Sequence, residues 1–224
     1  MAISKKQVRK RGAKGIKAFN ESAEAYDKWY CEEPGLTICE CETKALKDLE
    51  LTGLGVEVGV GTGVFASRLN TAIGVDPALE PIKSAKKKGI TAVRGAAESL
   101  PFKNDCFDYV TSIMAVFFLK DPVSSFMEAR RILKSKGDLI VCFTPKSSHW
   151  GISYQKKKGE GHRLYKYATF YDKSEIETML QRAGFKIEGC SATLLQPPDA
   201  VTCVEEPCRE PTGHGFVCVK GKKI

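Results

Sequence analysis

Apolar positions along the chain recur in two rhythms. Phe19, Ala23, Tyr26 and Tyr30 are spaced by three and four, which predicts a helix over 19–30, and residues 36–50 carry a second helical pattern. A compact apolar run at 55–60 reads as a strand, followed by a glycine cluster and a helix opening at Phe65. The alternation continues with a strand at 72–75, a helix at 78–88 closed by Gly89, and strands at 91–94 and 107–113. Asp121 as N-cap and Pro122 at the first helical position open a helix to Leu133, and residues 138–144 form a fifth strand. Asp172 and Glu175 make a capping box for a helix through Ala183, with Gly184 as its stop. Residues 185–195 and 215–220 then read as two consecutive strands.

Strand and helix units of this length predict an α/β fold: a seven-stranded, mainly parallel sheet with helices on both faces, a three-layer sandwich. The two final strands, with no helix between them, predict an antiparallel hairpin at one edge. Residues 145–171, rich in Lys, Gly and aromatics, interrupt the rhythm and read as an insertion that caps a substrate. The expected organisation is a flexible basic arm at 1–18 and one domain at 19–224, with 19–50 as an N-terminal helical cap.

Charge sharpens that division. The formal net charge is +8, from 35 Lys and Arg against 27 Asp and Glu. Lys5, Lys6, Arg9, Lys10, Arg11, Lys14 and Lys17 all precede the first acid, Glu21, leaving 28 basic and 27 acidic residues in the remainder. A nearly neutral body disfavours a scaffold that spreads basic side chains over a nucleic-acid-binding face. Nucleic acid is therefore expected to engage only through the arm, if at all. The apolar run at 110–119 is too short to span a bilayer, and no apolar h-region follows the basic N-terminus, so a cytoplasmic protein without membrane insertion is expected, monomeric or homodimeric. The nine cysteines include no C-x-x-C pair and are expected to be small buried hydrophobes, without a disulfide framework. No metal is expected; Cys203 with Cys208, or Cys39 with Cys41, is the alternative for a soft metal or a thiol-reactive substrate.

The candidate chemistry centres on V-E-V-G-V-G-T-G-V-F at 56–65. Gly59, Gly61 and Gly63 let the backbone turn tightly and approach a ligand, and Asp76 ends the following strand, where a carboxylate can accept both hydroxyls of a ribose. A dinucleotide fits poorly, because Glu57 would repel a pyrophosphate at the turn yet suits a ligand bearing an ammonium group.

The sequence resembles the class I S-adenosylmethionine-dependent methyltransferases of the UbiE-like, type 11 group, over roughly residues 19–220. The resemblance is carried by E-V-G-V-G-T-G at 57–63, G-V-D-P at 74–77, G-A-A-E-S-L-P-F at 95–102, F-D-Y-V at 107–110, E-A-R-R-I-L-K-S-K-G-D-L-I-V at 128–141 and the helix at 170–185. It implies a Rossmann-like sheet and S-adenosylmethionine as cofactor. Gly59, Gly61 and Gly63 would wrap its methionine part, with Glu57 orienting the turn or meeting the amino group through water. Asp76 would hold the ribose, and Pro77, the Ala97 backbone and Glu98 would meet the adenine, with Met114 closing over the cofactor.

Two departures from the group stand out. Ala96 stands where an Asp is usual, and Phe117 and Phe118 stand where two histidines often follow the fourth strand. The expected reaction is in-line methyl transfer to a small-molecule acceptor, with Tyr26 and Trp29 lidding the cofactor and Tyr26, His149 and His162 as candidate catalytic groups. An RNA or protein methyltransferase using the basic arm, a non-catalytic cofactor-binding domain and an NAD-dependent oxidoreductase are the alternatives.

Overall fold

A computed structural model describes residues 5–224, with side chains from Lys14 onward. Seven strands form one sheet in the order β3-β2-β1-β4-β5-β7-β6. The strands are β1 (Gly55–Val58), β2 (Ile73–Asp76), β3 (Thr91–Arg94), β4 (Phe107–Ile113), β5 (Leu133–Phe143), β6 (Phe185–Thr193) and β7 (Phe216–Lys223). Pairing is parallel from β3 through β5, and β7 runs antiparallel to both β5 and β6. The expected Rossmann-like sheet and its C-terminal hairpin are both present.

Among the described residues seven α-helices surround it: α1 (Lys5–Trp29), α2 (Gly35–Lys47), α3 (Val64–Arg68), α4 (Leu79–Lys87), α5 (Pro122–Ile132), α6 (His149–Gly159) and α7 (Lys173–Arg182). Successive strand residues point to opposite faces. Val110, Leu139 and Val141 pack with Phe126 of α5 and Ile176 and Leu180 of α7. Tyr109, Ile140 and Cys142 join the core formed with Ile38, Ala45 and Leu46 of α2 and with Val64 and Phe65 of α3. Burial on both faces explains why these strands read as continuous apolar runs.

Four features differ from the sequence expectation. Helix α1 begins at Lys5, whereas apolar spacing marked a helix only from Phe19. Lys, Arg, Gln and Ala are good helix formers, but with few apolar residues among them the stretch shows no amphipathic phase. The insertion at 145–171 contains α6, whose N-cap Ser148 accepts the Gly151 N–H at 3.0 Å, and a short 3₁₀ turn at Tyr165–Tyr167. The lysine run and flanking glycines of α6 hide its buried Trp150. Strand β5 starts at Leu133 directly after α5, with Lys136 at a φ of 62° inside it. Finally, Cys142 and Cys218, expected as free thiols, are joined by a disulfide, because the antiparallel register places them directly opposite one another.

Among the described residues, no helix is long and apolar enough to cross a membrane. No group of three or more His, Cys, Asp and Glu among them converges as a metal site.

The strand order reverses between β1 and β4, so the carboxyl ends of these strands open a crevice where α/β sheets place ligands. Helix α1 is fastened beside it: Asp27 pairs with Lys88 at 2.7 Å, and Asn20 accepts the Glu80 N–H at 2.9 Å.

Candidate active site

The turn between β1 and α3 rests on three residues with left-handed backbone. Gly59, Gly61 and Gly63 have φ of 81°, 52° and 78°, a region costly for any residue bearing a Cβ. The Gly59 and Val60 N–H groups both donate to the Val75 carbonyl, at 2.8 and 3.1 Å, which ties the turn to β2. A Cβ on Gly59 would fall 2.5 Å from that of Ala115. Gly61 differs, since a Cβ there would meet nothing nearer than the Gly59 carbonyl oxygen at 4.0 Å. The turn is packed at its base and open at its apex.

Asp76 closes β2 against that apex. Its Oδ2 accepts the Gly61 N–H at 3.0 Å and its Oδ1 accepts the Ala78 N–H at 2.8 Å. Each oxygen thus keeps a lone pair for a further donor. Burial pushes the carboxyl pKa above its usual value, and the two N–H groups oppose this.

Glu57, on β1, is 2% exposed, and its Oε2 has no hydrogen-bond partner. Burial drives its pKa well up, repulsion from Asp76 adds to the rise, and the Ala66 N–H opposes it. The loop after β3 is held next to Asp76 by the Gly95 N–H, which donates to the Asp76 carbonyl at 3.1 Å. Within that loop Ala97 is buried, and Ala96 is exposed and pairs with Ser99. The Glu98 Oε1 accepts the Lys120 N–H at 3.0 Å, which directs this carboxylate to the segment after β4. Arg94 Nε donates to the Pro77 carbonyl at 3.1 Å. Met114, at the end of β4 with a φ of 53°, is half-buried between the two main cores.

The rest of the site is aromatic. Tyr26 and Tyr30 of α1 meet edge to face at 4.9 Å, and the Tyr30 hydroxyl donates to Glu42 Oε2 at 3.3 Å. Tyr154 of α6 stacks on Tyr165 at 4.5 Å, and Phe117 packs against Phe170 at 5.1 Å. Phe118 meets Phe19 of α1 at 4.8 Å, so the two phenylalanines that replace histidines form an apolar wall between α1 and the insertion. An ion pair between Glu21 and Arg163, with the Gly15 backbone against Tyr167, closes α1 onto that insertion.

Glu42, on α2, is 4% exposed, and burial pushes its carboxyl up to about 8, with the Tyr30 hydroxyl opposing the shift. Its charge in turn raises the Tyr26, Tyr30, Tyr154 and Tyr165 phenols, behind the larger effect of their own burial. Tyr26 keeps 36% of its surface exposed, yet burial raises its phenol well above the usual value, with the Tyr30 hydrogen bond opposing the rise.

The structure thus gathers Asp76, Pro77 and the loop after β3 around the glycine turn, with Tyr26 held on α1 against Tyr30. The two histidines stand apart from this group. His149 is exposed at the first position of α6. His162 is exposed and stacks on Tyr165 at 4.7 Å, and its Nδ1 accepts the Leu164 and Tyr165 N–H groups at 3.3 and 3.4 Å. Desolvation, aided by Lys157, lowers its pKa. Sequence reasoning missed Glu42. Its signal was an acid four residues from Ile38 and from Leu46, on the apolar face of a helix.

Comparison with known proteins agrees with this geometry. Residues 56–141 match the family model of a methyltransferase domain. An uncharacterised protein of Methanocaldococcus jannaschii is 37% identical, over 93% of this chain and 100% of its own. An uncharacterised protein of Mycobacterium tuberculosis is 32% identical, over 90% of this chain and 72% of its own. Among solved structures, an S-adenosylmethionine-dependent methyltransferase of Thermotoga maritima, a possible histamine N-methyltransferase, superposes with a TM-score of 0.87. It is 32% identical and covers 94% of this chain and 100% of its own. The chain belongs to the S-adenosylmethionine-dependent methyltransferases of the type 11 group, and S-adenosylmethionine is its cofactor.

Proposed function

We propose that the enzyme transfers the cofactor methyl group to a small-molecule acceptor held between α1, α2, α6 and the turn at Tyr165–Tyr167. When bound, S-adenosylmethionine supplies an electrophilic methyl group on a sulfonium. Gly59, Gly61 and Gly63 cradle its methionine part against the open apex of the turn. The lone pairs left on Asp76 accept the ribose hydroxyls, and the unpartnered Glu57 Oε2 faces the amino group directly or through water. Pro77 lies against the adenine, the Ala97 backbone meets its edge, and Met114 closes the site. With Glu98 engaged by Lys120 and Ala96 lacking a carboxylate, the adenine amino group is left to a backbone carbonyl.

Residues 19–50 and 145–171 act as two caps, and their contact carries the small-molecule reading. The Glu21–Arg163 ion pair and the Phe19–Phe118 contact close α1 over the aromatic side of the crevice. A closed crevice suits an acceptor that can be fully enclosed. A polymer would need an open groove. The chain's own residues exclude water and align the acceptor, which can supply several kcal/mol of the rate enhancement. Tyr26, packed edge to face against Tyr30 and keeping part of its surface exposed, is the residue proposed to contact both cofactor and acceptor.

Incubation with methyl-labelled S-adenosylmethionine and a cell extract separated into small-molecule, protein and RNA fractions tests this. Label is expected in the small-molecule fraction. Label retained in RNA or protein, and lost on deletion of residues 1–17, would overturn it in favour of a polymeric substrate.

A further inference from the structure

One ammonium group joins the α1 cap to the glycine turn. Lys88, at the C-cap of α4, donates through Nζ to the Thr62 carbonyl at 2.9 Å and to Asp27 Oδ1 of α1 at 2.7 Å. Thr62 lies between Gly61 and Gly63, and Asp27 directly follows Tyr26. The Lys88 and Asp27 side chains are 32% and 26% exposed, and Thr62 is 2% exposed. Among the described residues no backbone N–H donates to the Thr62 carbonyl, so loss of Lys88 would leave it poorly paired.

A turn with three left-handed glycines has many backbone shapes open to it until something fixes one of them. Its N–H groups are fixed from β2 and from within. The Gly59 and Val60 N–H groups go to Val75, that of Gly61 goes to Asp76, and that of Gly63 donates back to the Val60 carbonyl at 2.9 Å. The Thr62 carbonyl is held from outside this set, by a charged donor, which makes a stronger bond than a neutral one. A lysine ammonium is strongly hydrated and rides on a flexible stem, so an anion is needed to keep it at one place. Asp27 supplies that anion, and α1 is aligned for it by a second bond. Asn20, about two helical turns before Asp27, accepts the Glu80 N–H at the opposite end of α4.

We propose that Lys88 is a positioning residue that couples the α1 cap to the cofactor turn. Docking of Asp27 holds Lys88 on Thr62 and so sets the turn for the cofactor, and by reciprocity a bound cofactor holds α1 closed. The proposal rests on the placement of the cofactor at the glycine turn and is independent of the acceptor's identity. Phe19 and Glu21 lie on the same helix, so their contacts with Phe118 and Arg163 complete the acceptor side once the cofactor is in place.

The test is calorimetry with S-adenosylhomocysteine on the full chain, together with hydrogen exchange of residues 19–30. Lys88→Met should weaken binding at least about tenfold, and Asp27→Ala about threefold. Because Asp27 acts through Lys88, the double variant should lose no more than Lys88→Met alone. Arg163→Ala, which loosens α1 on its other side, should change the affinity by less than about twofold. In the wild type S-adenosylhomocysteine should slow exchange at 19–30, and in Lys88→Met at saturation this slowing should vanish. Binding by Lys88→Met within about twofold of wild type overturns the proposal, as do losses that multiply in the double variant or an equal loss in Arg163→Ala. Slowing that persists in saturated Lys88→Met overturns it too, because the cofactor would then hold α1 directly. A wild type whose exchange at 19–30 ignores the ligand overturns it whether or not the variants fold. If Gly61→Val binds S-adenosylhomocysteine as wild type does, the placement at the turn falls and the coupling with it. If Gly61→Val abolishes binding and the Lys88 and Asp27 variants do not weaken it, only the coupling falls.

Discussion

Glu42→Gln should change how stability depends on pH, and the change can be sized. The Glu42 carboxyl rises from 4.5 to about 8 on folding, because burial penalises its charged form. At ~1.4 kcal/mol per unit this links about 5 kcal/mol of stability to its protonation. With the folded value above the unfolded one, the native state binds the extra proton. The stabilisation is therefore full below about 4.5 and disappears as pH rises towards 8. Between pH 5.5 and pH 9 the wild type should lose about 3 kcal/mol by this route. Gln mimics the neutral acid and does not titrate, so the variant keeps that stability.

Urea denaturation of both proteins at pH 5.5, 7 and 9, without ligands, reads the difference directly. Asp76 and Glu57 also titrate with raised values, and burial, with the Glu42 charge behind it, raises Tyr26, Tyr30, Tyr154, Tyr165 and Cys39. All are present in both proteins, so their contributions largely cancel on subtraction. Wild-type and variant curves that stay parallel from pH 5.5 to 9 would refute a Glu42 carboxyl raised by burial.

Asp76→Asn retains an oxygen for one backbone N–H but loses the charge and one acceptor, and should weaken S-adenosylmethionine binding by calorimetry about tenfold or more. Gly61→Val, at a φ of 52° with open space before it, should cost about 1–2 kcal/mol of stability and abolish cofactor binding. Gly89→Val, at a φ of 83° with nothing within 4 Å, should cost about as much and leave binding intact. Phe126→Ala, in a core position 2% exposed, should cost about 3–5 kcal/mol in urea denaturation. Arg163→Ala removes an exposed pair worth under about 1 kcal/mol, yet should raise the acceptor KM with cofactor affinity unchanged.

How much of this was legible in the sequence depends on how local each determinant is. The crossover units were visible because their punctuation is short-range: Asp121 and Pro122 open α5, the Asp172–Glu175 box opens α7, and both devices appear in the structure. The Cys142–Cys218 bond was not visible. It follows from the β5–β7 register between residues 76 apart, which neither strand's own pattern encodes. Helix α6 was hidden for a different reason. Its burial is carried by Trp150 and Gly151 alone, against tertiary neighbours, with too few apolar residues to set a helical period.

The site divides along the same line. The glycine turn and Asp76 lie within 18 residues of one another, and one unit of strand, tight turn, short helix and second strand suffices to bring them together. The aromatic side is assembled from α1, α6 and the turn at 165–167, whose meeting is decided by the sheet order and by the Glu21–Arg163 closure. His149 and His162 stood out in the sequence because histidine chemistry suggests catalysis, yet nothing local says whether an imidazole will face a crevice or the solvent. Glu42 carried a signal of another kind. An acid among Ile38, Cys39, Ala45 and Leu46 on a buried helix face costs several kcal/mol unless it is protonated or something outside the helix meets it, and the Tyr30 hydroxyl of α1 is what meets it here. An acid at an apolar position of a helical pattern thus points to a tertiary neighbour, which a histidine in a loop does not.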